Sequence, residues 1–410
     1  MKRSKISSAQ EGLWFSQKLI PDAANNISGY FEINTEINQR KMAAALLHHH
    51  REAEALRVNF TEDEGVIYQE LRDLQSWQPD FFDVSGATIP EDAAKELISD
   101  ITGQIFDLSS DALYRFGLIK LNESRFFLFF VAHHIVCDGL GGMVAVRRVL
   151  EIYETLNTSD AIPPTKYCRL DSIIEASATY ENSESFASDE EFWSKYTTAW
   201  PEQPIKLGRQ NPSESTTLRL RLSIDKSDSA NFIAAANDAG VPLSSFFATT
   251  LMSCLNRASS LSNFSVRLAV ANRMGVAWNT PCMLSNAVPV RVDLTSIREF
   301  SSFARFMNDE INLVRKHGRY PTSKVRPGLN SFAKQRNPFG PIINIMPFFG
   351  TPLKIADSQV SFLDASFGIC DDLSISVFYD SYQIADRGLG DVHIQIDANG
   401  LFYTYSDLDR

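Results

Sequence analysis

The stretch RFFLFFVA, residues 125–132, narrows the possible folds more than any other part of this chain. An apolar run without alternation cannot keep one face in water, so it reads as a central strand buried on both sides. Such a strand needs a covering layer on each face, which points to an α/β architecture with helices packed over a sheet. The run is far too short to cross a bilayer as a helix. LYRFGLIKL (113–121) precedes it across the turn-like triplet NES and reads as a second strand. On the other side, VAHHIVCDGLGG (131–142) leads into GGMVAVRRVLEIYETL, whose apolar spacing fits a helix. A buried strand thus runs into a glycine-rich turn and a helix, with two adjacent histidines at the junction.

Strand and helix signals alternate along the rest of the chain. SAQE (8–11) reads as a capping box, with Ser8 and Glu11 satisfying free backbone donors at the start of an amphipathic helix. TIPE (88–91) repeats that logic, and its helix is predicted to run to about Ile105. GYFEI (29–33) is predicted as a strand and MAAALLHHHREAEAL (42–56) as a helix. ENSESFASDEE (181–191) lacks the apolar residues for a core of its own and is read as a linker. Beyond it, LRLRLSI (218–224), FSVRLAVA (264–271), SNAVPVRVDL (285–294), PIINIMPFF (341–349) and DVHIQI (391–396) are predicted strands. LSSFFATTLMSCLNRA (243–258) and residues 297–316 are predicted helices. The expectation is two α/β halves, 1–180 and 181–410.

Composition removes several functions. A net charge of −11 without a clustered Lys/Arg stripe argues against nucleic acid as the main partner, since phosphate binding depends on concentrated cations. The basic start MKRSK is followed by no apolar signal segment, so no membrane association and a cytoplasmic location are expected. Cys137, Cys168, Cys254, Cys282 and Cys370 are scattered and form no CxxC pair; they are read as reduced packing residues, with neither a disulfide framework nor a zinc site.

At the strand-to-helix junction, side chains project from a rigid element into whatever space lies beyond it. Gly139, Gly141 and Gly142 permit close backbone approach, and the helix start offers amides suited to a developing negative charge. From these residues alone two readings stay open, a site for acid–base chemistry or histidines satisfied within core and loop. A metal site is not indicated, because adjacent side chains diverge on an extended backbone and no Cys/His set completes a coordination sphere. Nothing in the sequence signals activation of Cys137 as a nucleophile. His48, His49 and His50 fall in a predicted helix, one ring inward and two outward, and are assigned no chemistry.

HHIVCDG matches the HHxxxDG signature of the condensation domains of nonribosomal peptide synthetases, relatives of chloramphenicol acetyltransferase. Other segments resemble further motifs of that family in the same order. They are ISSAQEGLWFSQKL (6–19), FDLSSDALYRFGLIKL (106–121), ANRMG (271–275), SNAVPVRV (285–292), HGRYP (317–321), NPFGPIINIMPF (337–348) and YSDLD (405–409), the last resembling a final strand motif.

The resemblance implies two acetyltransferase-like lobes arranged as a V, with a tunnel through their interface. It implies a condensation enzyme that moves an acyl group from a carrier-protein phosphopantetheine thioester to an amine, forming an amide. No cofactor is expected on the chain itself; the phosphopantetheine arm comes with an acyl-loaded carrier protein as donor. The amine acceptor is either carrier-bound or free, and a monomer is expected. By the same resemblance His134 faces the attacking amine, Gly139 lets the thioester come close, and His133 braces the loop. Asp138 pairs with Arg273 in an architectural ion pair, and Asn344 resembles a polar tunnel residue of stand-alone members, the other reading being a hydrogen-bonding residue at a strand end. An intact histidine pair and ANRMG set the chain apart from heterocyclisation and epimerisation domains. The motif order GRYP…NIMPF resembles stand-alone amide synthases and starter domains of siderophore pathways. A CoA-dependent or ester-forming transferase and a non-catalytic docking platform are the alternatives. Two departures stand out: Cys282 where many members have glycine, and an end at Arg410 where the family adds one more helix.

Overall fold

The computed structural model describes every residue except 1–2, 75–76, 159–160, 199, 202–204, 206, 209–216, 274, 298, 326–338, 348–352, 356–357, 380–388 and 410. Met274, Asn337, Pro338, Phe348, Phe349 and Arg410, which belong to segments singled out above, lie outside the described residues. Two compact units are present. The first comprises Met1–Asn182, Arg273–Leu284 and Pro352–Ile369, and the second Ser183–Asn272, Ser285–Thr351 and Cys370–Arg410. Two late segments thus join the first unit, so the division is interleaved where the sequence suggested one boundary at 180/181. The later segment joins by strand pairing with β2 (Asn26–Ile33) and the earlier one by hydrogen bonds of Arg273, Cys282 and Leu284 to Asp138, neither of which hydrophobic periodicity reveals.

In the first unit a six-stranded sheet has the order β12-β13-β2-β7-β6-β5. Its members are β2 (Asn26–Ile33), β5 (Asp80–Asp83), β6 (Tyr114–Asn122), β7 (Arg125–His133), β12 (Leu353–Ile355) and β13 (Ser358–Phe367). A small sheet of β1 (Arg3–Lys5), β4 (Val66–Leu71) and β3 (Val58–Asp63) accompanies it. The helices are α1 (Ser8–Leu19), α2 (Gln39–Glu52), α3 (Pro90–Thr102), α4 (Gly139–Thr158) and α5 (Leu170–Glu181). Strand β7 is central, as its composition requires, with β2 and β6 antiparallel on either side. Its alternate residues serve opposite layers. Phe127, Phe129 and Val131 pack with Ala94, Ile98 and Ile101 of α3. The ring of Phe130, on the other face, lies close beneath Gly142 of α4. Each buried Phe contributes about 1.5–3 kcal/mol relative to exposure, so this strand anchors the unit.

The second unit holds a six-stranded sheet of order β10-β9-β11-β14-β15-β8. Its elements are α6 (Glu184–Tyr196), β8 (Thr217–Ile224), α7 (Lys226–Ala239), α8 (Leu243–Ser259), β9 (Asn263–Val270), β10 (Asn286–Asp293), α9 (Phe300–Lys316), β11 (Ile342–Met346), β14 (Leu373–Phe378), β15 (Val392–Asn399) and α10 (Tyr405–Leu408). Strand β11 runs parallel to β14 and β9, while the other pairs are antiparallel.

Several expectations are corrected. The presumed linker at 181–191 is largely helix α6, capped by Ser183 and held by Trp193 and Tyr196, which are buried in the second unit's core. Its apolar anchors lie mostly past the acidic stretch that made it look unstructured. The first capping box is Ser7 with Gln10, not Ser8 with Glu11: the amide and hydroxyl of Ser7 both donate to Gln10 Oε1, at 3.0 and 3.1 Å. Helix α3 has Ile89 at its N-cap without a side-chain cap, so Thr88 does not close a box, and the helix ends at Thr102. YSDLD is not a strand; Tyr405–Leu408 forms one helical turn started by Thr404 and Asp407. Cys254 is exposed and not a packing residue. Among the described residues no helix is long and apolar enough to cross a membrane.

Candidate active site

The end of β7 is pinned from both neighbouring chain segments. His133 donates its amide to the carbonyl of Leu113 at 2.8 Å, and His134 donates to the carbonyl of Asn25 at 2.8 Å. The two side chains then diverge into opposite environments. His133 is buried, its Nδ1 accepting from the Ile135 amide at 3.1 Å and its Nε2 standing 3.0 Å from Gln17 Oε1. An acceptor role at Nδ1 puts the proton on Nε2, which donates to Gln17. Burial, aided by the neighbouring His134, lowers the His133 pKa to about 3, so the ring is a neutral brace. Gln17 in turn donates to the carbonyls of Ile20, Pro21 and Ala23 at 3.1–3.4 Å. Gln10, two helical turns earlier on α1, donates to the carbonyl of Ile135 at 3.1 Å. Helix α1 thus grips the histidine turn with two buried glutamines, a role the opening motif did not reveal because glutamine is most often a surface residue.

His134 is only half-buried. Its Nδ1 lies 3.0 Å from the carbonyl oxygen of Cys137. A carbonyl only accepts, so Nδ1 carries the proton and Nε2 keeps a free lone pair. Burial lowers the His134 pKa, opposed by its hydrogen bonds and by the Asp138 carboxylate. The neutral, basic form therefore prevails near neutral pH, with the tautomer a proton acceptor needs.

Asp138 holds the turn together. Its Oδ1 accepts from the Gly141 amide at 2.9 Å, the usual N-cap bond at the start of α4, and its Oδ2 accepts from the Leu284 amide at 3.0 Å. Arg273 Nη2 reaches Asp138 Oδ1 at 2.5 Å, and both side chains are almost fully buried. The Asp138 carboxylate helps push the Arg273 pKa upward against burial, which acts the other way. The guanidinium also donates to the carbonyls of Thr280 and Cys282, at 3.3 and 2.8 Å. The expected clasp is present and tied to both ends of the 273–284 segment.

Cys282 is buried with its Sγ against Arg273 Nη1. Its backbone packs so close to Gly141 that a Cβ there would sit 3.0 Å from the Cys282 nitrogen and oxygen, which accounts for a glycine at 141. Burial pushes the Cys137 thiol well above its usual pKa, so the group is protonated and not an activated nucleophile. Among the described residues no cluster of His, Cys, Asp and Glu is arranged to hold a metal.

His133, His134, Asp138, Gly139 and Arg273 are gathered in the first unit; Asn344 belongs to the second, on β11 opposite Ser376 of β14. The other motif residues there brace one another. Asn272 and Asn286 both donate to the carbonyl of Gly318, at 2.9 and 3.0 Å, and Asn286 also donates to that of Tyr320 at 2.7 Å.

A sequence profile described as the condensation domain matches residues 2–385. The chain is 29% identical over 411 residues to a dimodular nonribosomal peptide synthase of Bacillus subtilis (strain 168), covering 98% of this chain and 17% of that protein. It is 28% identical over 410 residues to an isonitrile lipopeptide synthase of Streptomyces coeruleorubidus, covering 99% and 27%. Enterobactin synthase component F of Escherichia coli (strain K12) is 24% identical over 400 residues, covering 96% and 30%. The chain therefore spans less than a third of the length of each of these relatives. Among solved structures, the starter condensation domain of rhizomide synthetase in complex with C8-CoA superposes with a TM-score of 0.89 at 25% identity, covering 100% of this chain and 92% of that one. The first condensation domain of the calcium-dependent antibiotic synthetase, in complex with a substrate analogue, shares the fold with a TM-score of 0.87 at 21% identity, covering 100% and 93%. With the histidine turn, its aspartate-arginine clasp and both six-stranded sheets in place, the chain belongs to the condensation-domain family of nonribosomal peptide synthetases.

Proposed function

We propose that the chain transfers an acyl group from a phosphopantetheine thioester on a partner carrier protein to an amine, with His134 as the group beside the nucleophile. The observation that carries this reading is the partly buried His134, whose Nδ1 proton is engaged by the Cys137 carbonyl and whose Nε2 has no hydrogen-bond partner among the described residues. The amine nitrogen attacks the thioester carbonyl, a C–N bond forms and the C–S bond breaks. The proton lost by nitrogen passes to Nε2 and from there to the departing thiolate. Gly139, at the first position of α4, gives the thioester room. Asp138 and Arg273 act by holding the turn. His133 fixes its shape, and Asn344 contributes a polar contact to the substrate. The protein works in the cytoplasm and binds no cofactor beyond the arm its partner brings. A CoA thioester is a second donor, favoured by the rhizomide synthetase domain whose solved complex contains C8-CoA.

The weight on base catalysis depends on the acceptor. An α-amine, with a pKa near 8, is already partly neutral at cytosolic pH, so proximity supplies most of the rate. A polyamine nitrogen or a hydroxyl needs more help from Nε2. The test combines acyl-loaded carrier proteins and acyl-CoA with a panel of amines and alcohols, following acyl loss by intact-protein mass spectrometry. Transfer that His134→Ala slows most for polyamines and hydroxyls supports the reading. Carrier binding without turnover identifies a docking platform instead, and equal losses for all acceptors remove the base role.

A further inference from the structure

Strand β2 lies between β7 and β13, and the loop residue just before it touches the ends of both. In the β2–β7 ladder Asn26 stands opposite His133, so Asn25 is level with His134 and accepts the His134 amide at its backbone oxygen, 2.8 Å away. In the β2–β13 ladder the last pair is Ile27 with Phe367. The chain then turns at Gly368, with φ +81°, and the Ile369 amide donates to Asn25 Oδ1 at 3.3 Å. Asn25 is 4% exposed and thus joins two strand ends, one through its backbone and one through its side chain.

The turn at Gly368 also sits beside the imidazole. A Cβ on Gly368 would clash with Asn25 Oδ1 and stand 3.5 Å from Cδ2 of His134. Cδ2 is the ring carbon bonded to Nε2, the nitrogen left free. Bare backbone at 368 therefore forms the wall next to the proton-accepting edge, and two independent demands, a left-handed φ and no Cβ, keep it bare.

We infer that Asn25 is a positioning residue for His134, acting through the Gly368–Ile369 turn, and that this turn sets how closely an acceptor approaches Nε2. The inference rests on the transfer reaction proposed above and names the groups that tune it. Without the Asn25 amide, the Ile369 N–H loses its acceptor and the wall is free to shift along the ring. A displacement of even about 1 Å at a reacting group costs up to about a hundredfold in rate.

The experiment uses the full chain with octanoyl-CoA or an octanoyl-loaded carrier protein as donor, and ring-nitrogen NMR of histidine-labelled protein as a readout independent of turnover. Asn25→Ala is expected to lower kcat by about ten- to a hundredfold with the donor KM little changed, and to reduce the Nδ1–H tautomer of His134. Asn25→Asp keeps an oxygen for Ile369 and adds negative charge near the ring, so it restores the tautomer and moves the His134 titration to higher pH. Gly368→Ala is expected to raise KM for bulky amines more than for small ones. Unchanged kcat and unchanged His134 resonances in Asn25→Ala overturn the inference, as does an Asn25→Asp titration that stays in place. If His134→Ala turns over as fast as the parent, the reaction assignment fails; the NMR arms still decide whether Asn25 positions the ring.

Discussion

The chain carries two clusters of neighbouring histidines, and they are built in opposite ways. His49 and His50 of α2 are buried among aromatic rings. His49 meets Phe116 and Tyr167 edge-on, with centroids 5.6 and 5.8 Å away, and among the described residues neither of its nitrogens has a hydrogen-bond partner. His50 stacks on Trp77 at 4.6 Å, and its Nδ1 meets the Tyr114 hydroxyl. Among the described residues the pair at 133–134 has no aromatic stack; it has directional bonds to three ring nitrogens and one nitrogen left over. Among the described residues His49 has neither ring nitrogen assigned and His50 only one, whereas the pair at 133–134 has three of its four assigned.

That contrast breaks most visibly at His134. His134→Ala is expected to lower kcat/KM for a hydroxyl or polyamine acceptor by about a hundred- to ten-thousandfold while leaving the melting temperature close to the parent's. The measurement is steady-state transfer beside thermal unfolding, and a large loss of stability would make His134 a packing residue like His49. Next comes the clasp: Arg273→Ala strands the Asp138 carboxylate in the interior and is expected to cost about 3–5 kcal/mol in denaturant unfolding. His133→Leu leaves the Gln17 oxygen and the Ile135 amide unpaired, at about 1–3 kcal/mol each. By contrast His49→Leu removes no hydrogen bond, so its stability at pH 8 should stay within about 1 kcal/mol of the parent.

Acid sharpens the same comparison. Burial depresses the pKa of His49 to about 3, of His50 to about 4 and of His133 to about 3, from 6.5. The unfolded chain takes up these protons first, so the stability from keeping the rings neutral is complete above about pH 6.5 and declines as pH falls toward 4. Each group contributes a slope of up to about 1.4 kcal/mol per pH unit in that window. His49→Leu is expected to make unfolding between pH 6 and pH 4 measurably less acid-sensitive, and an unchanged slope would show that His49 is protonated in the native state.

How much of this was legible in the residues depended on distance along the chain. The central strand, the turn after it and helix α4 are contiguous and follow from RFFLFFVA and the glycines that succeed it. The Asp138–Arg273 pair is separated by 135 positions, and only the family resemblance joined them. Gln10, Gln17 and Asn25 escaped notice because a buried amide looks like a surface one until its partners are known. The outward placement of two rings in HHH failed for a related reason. Helical periodicity ranks faces by polarity, but the layer over α2 is lined with aromatic residues that accept a neutral imidazole edge. Strand β13 was missed because SQVSFLDASF mixes polar and apolar residues without strict alternation, and a bulge between Phe362 and Asp364 shifts its phase midway.

The interleaved make-up of the first unit has a consequence during translation. The ribosome releases the histidine turn long before it makes Arg273, and later still it makes the Gly368 turn. Before Arg273 the aspartate lacks its counter-ion, and before Phe367 the nascent sheet lacks a complete β13. Assembly of the reactive centre therefore waits for segments made well after the signature motif, and a ribosome stalled before position 369 would hold a chain that has the motif without the turn beside His134.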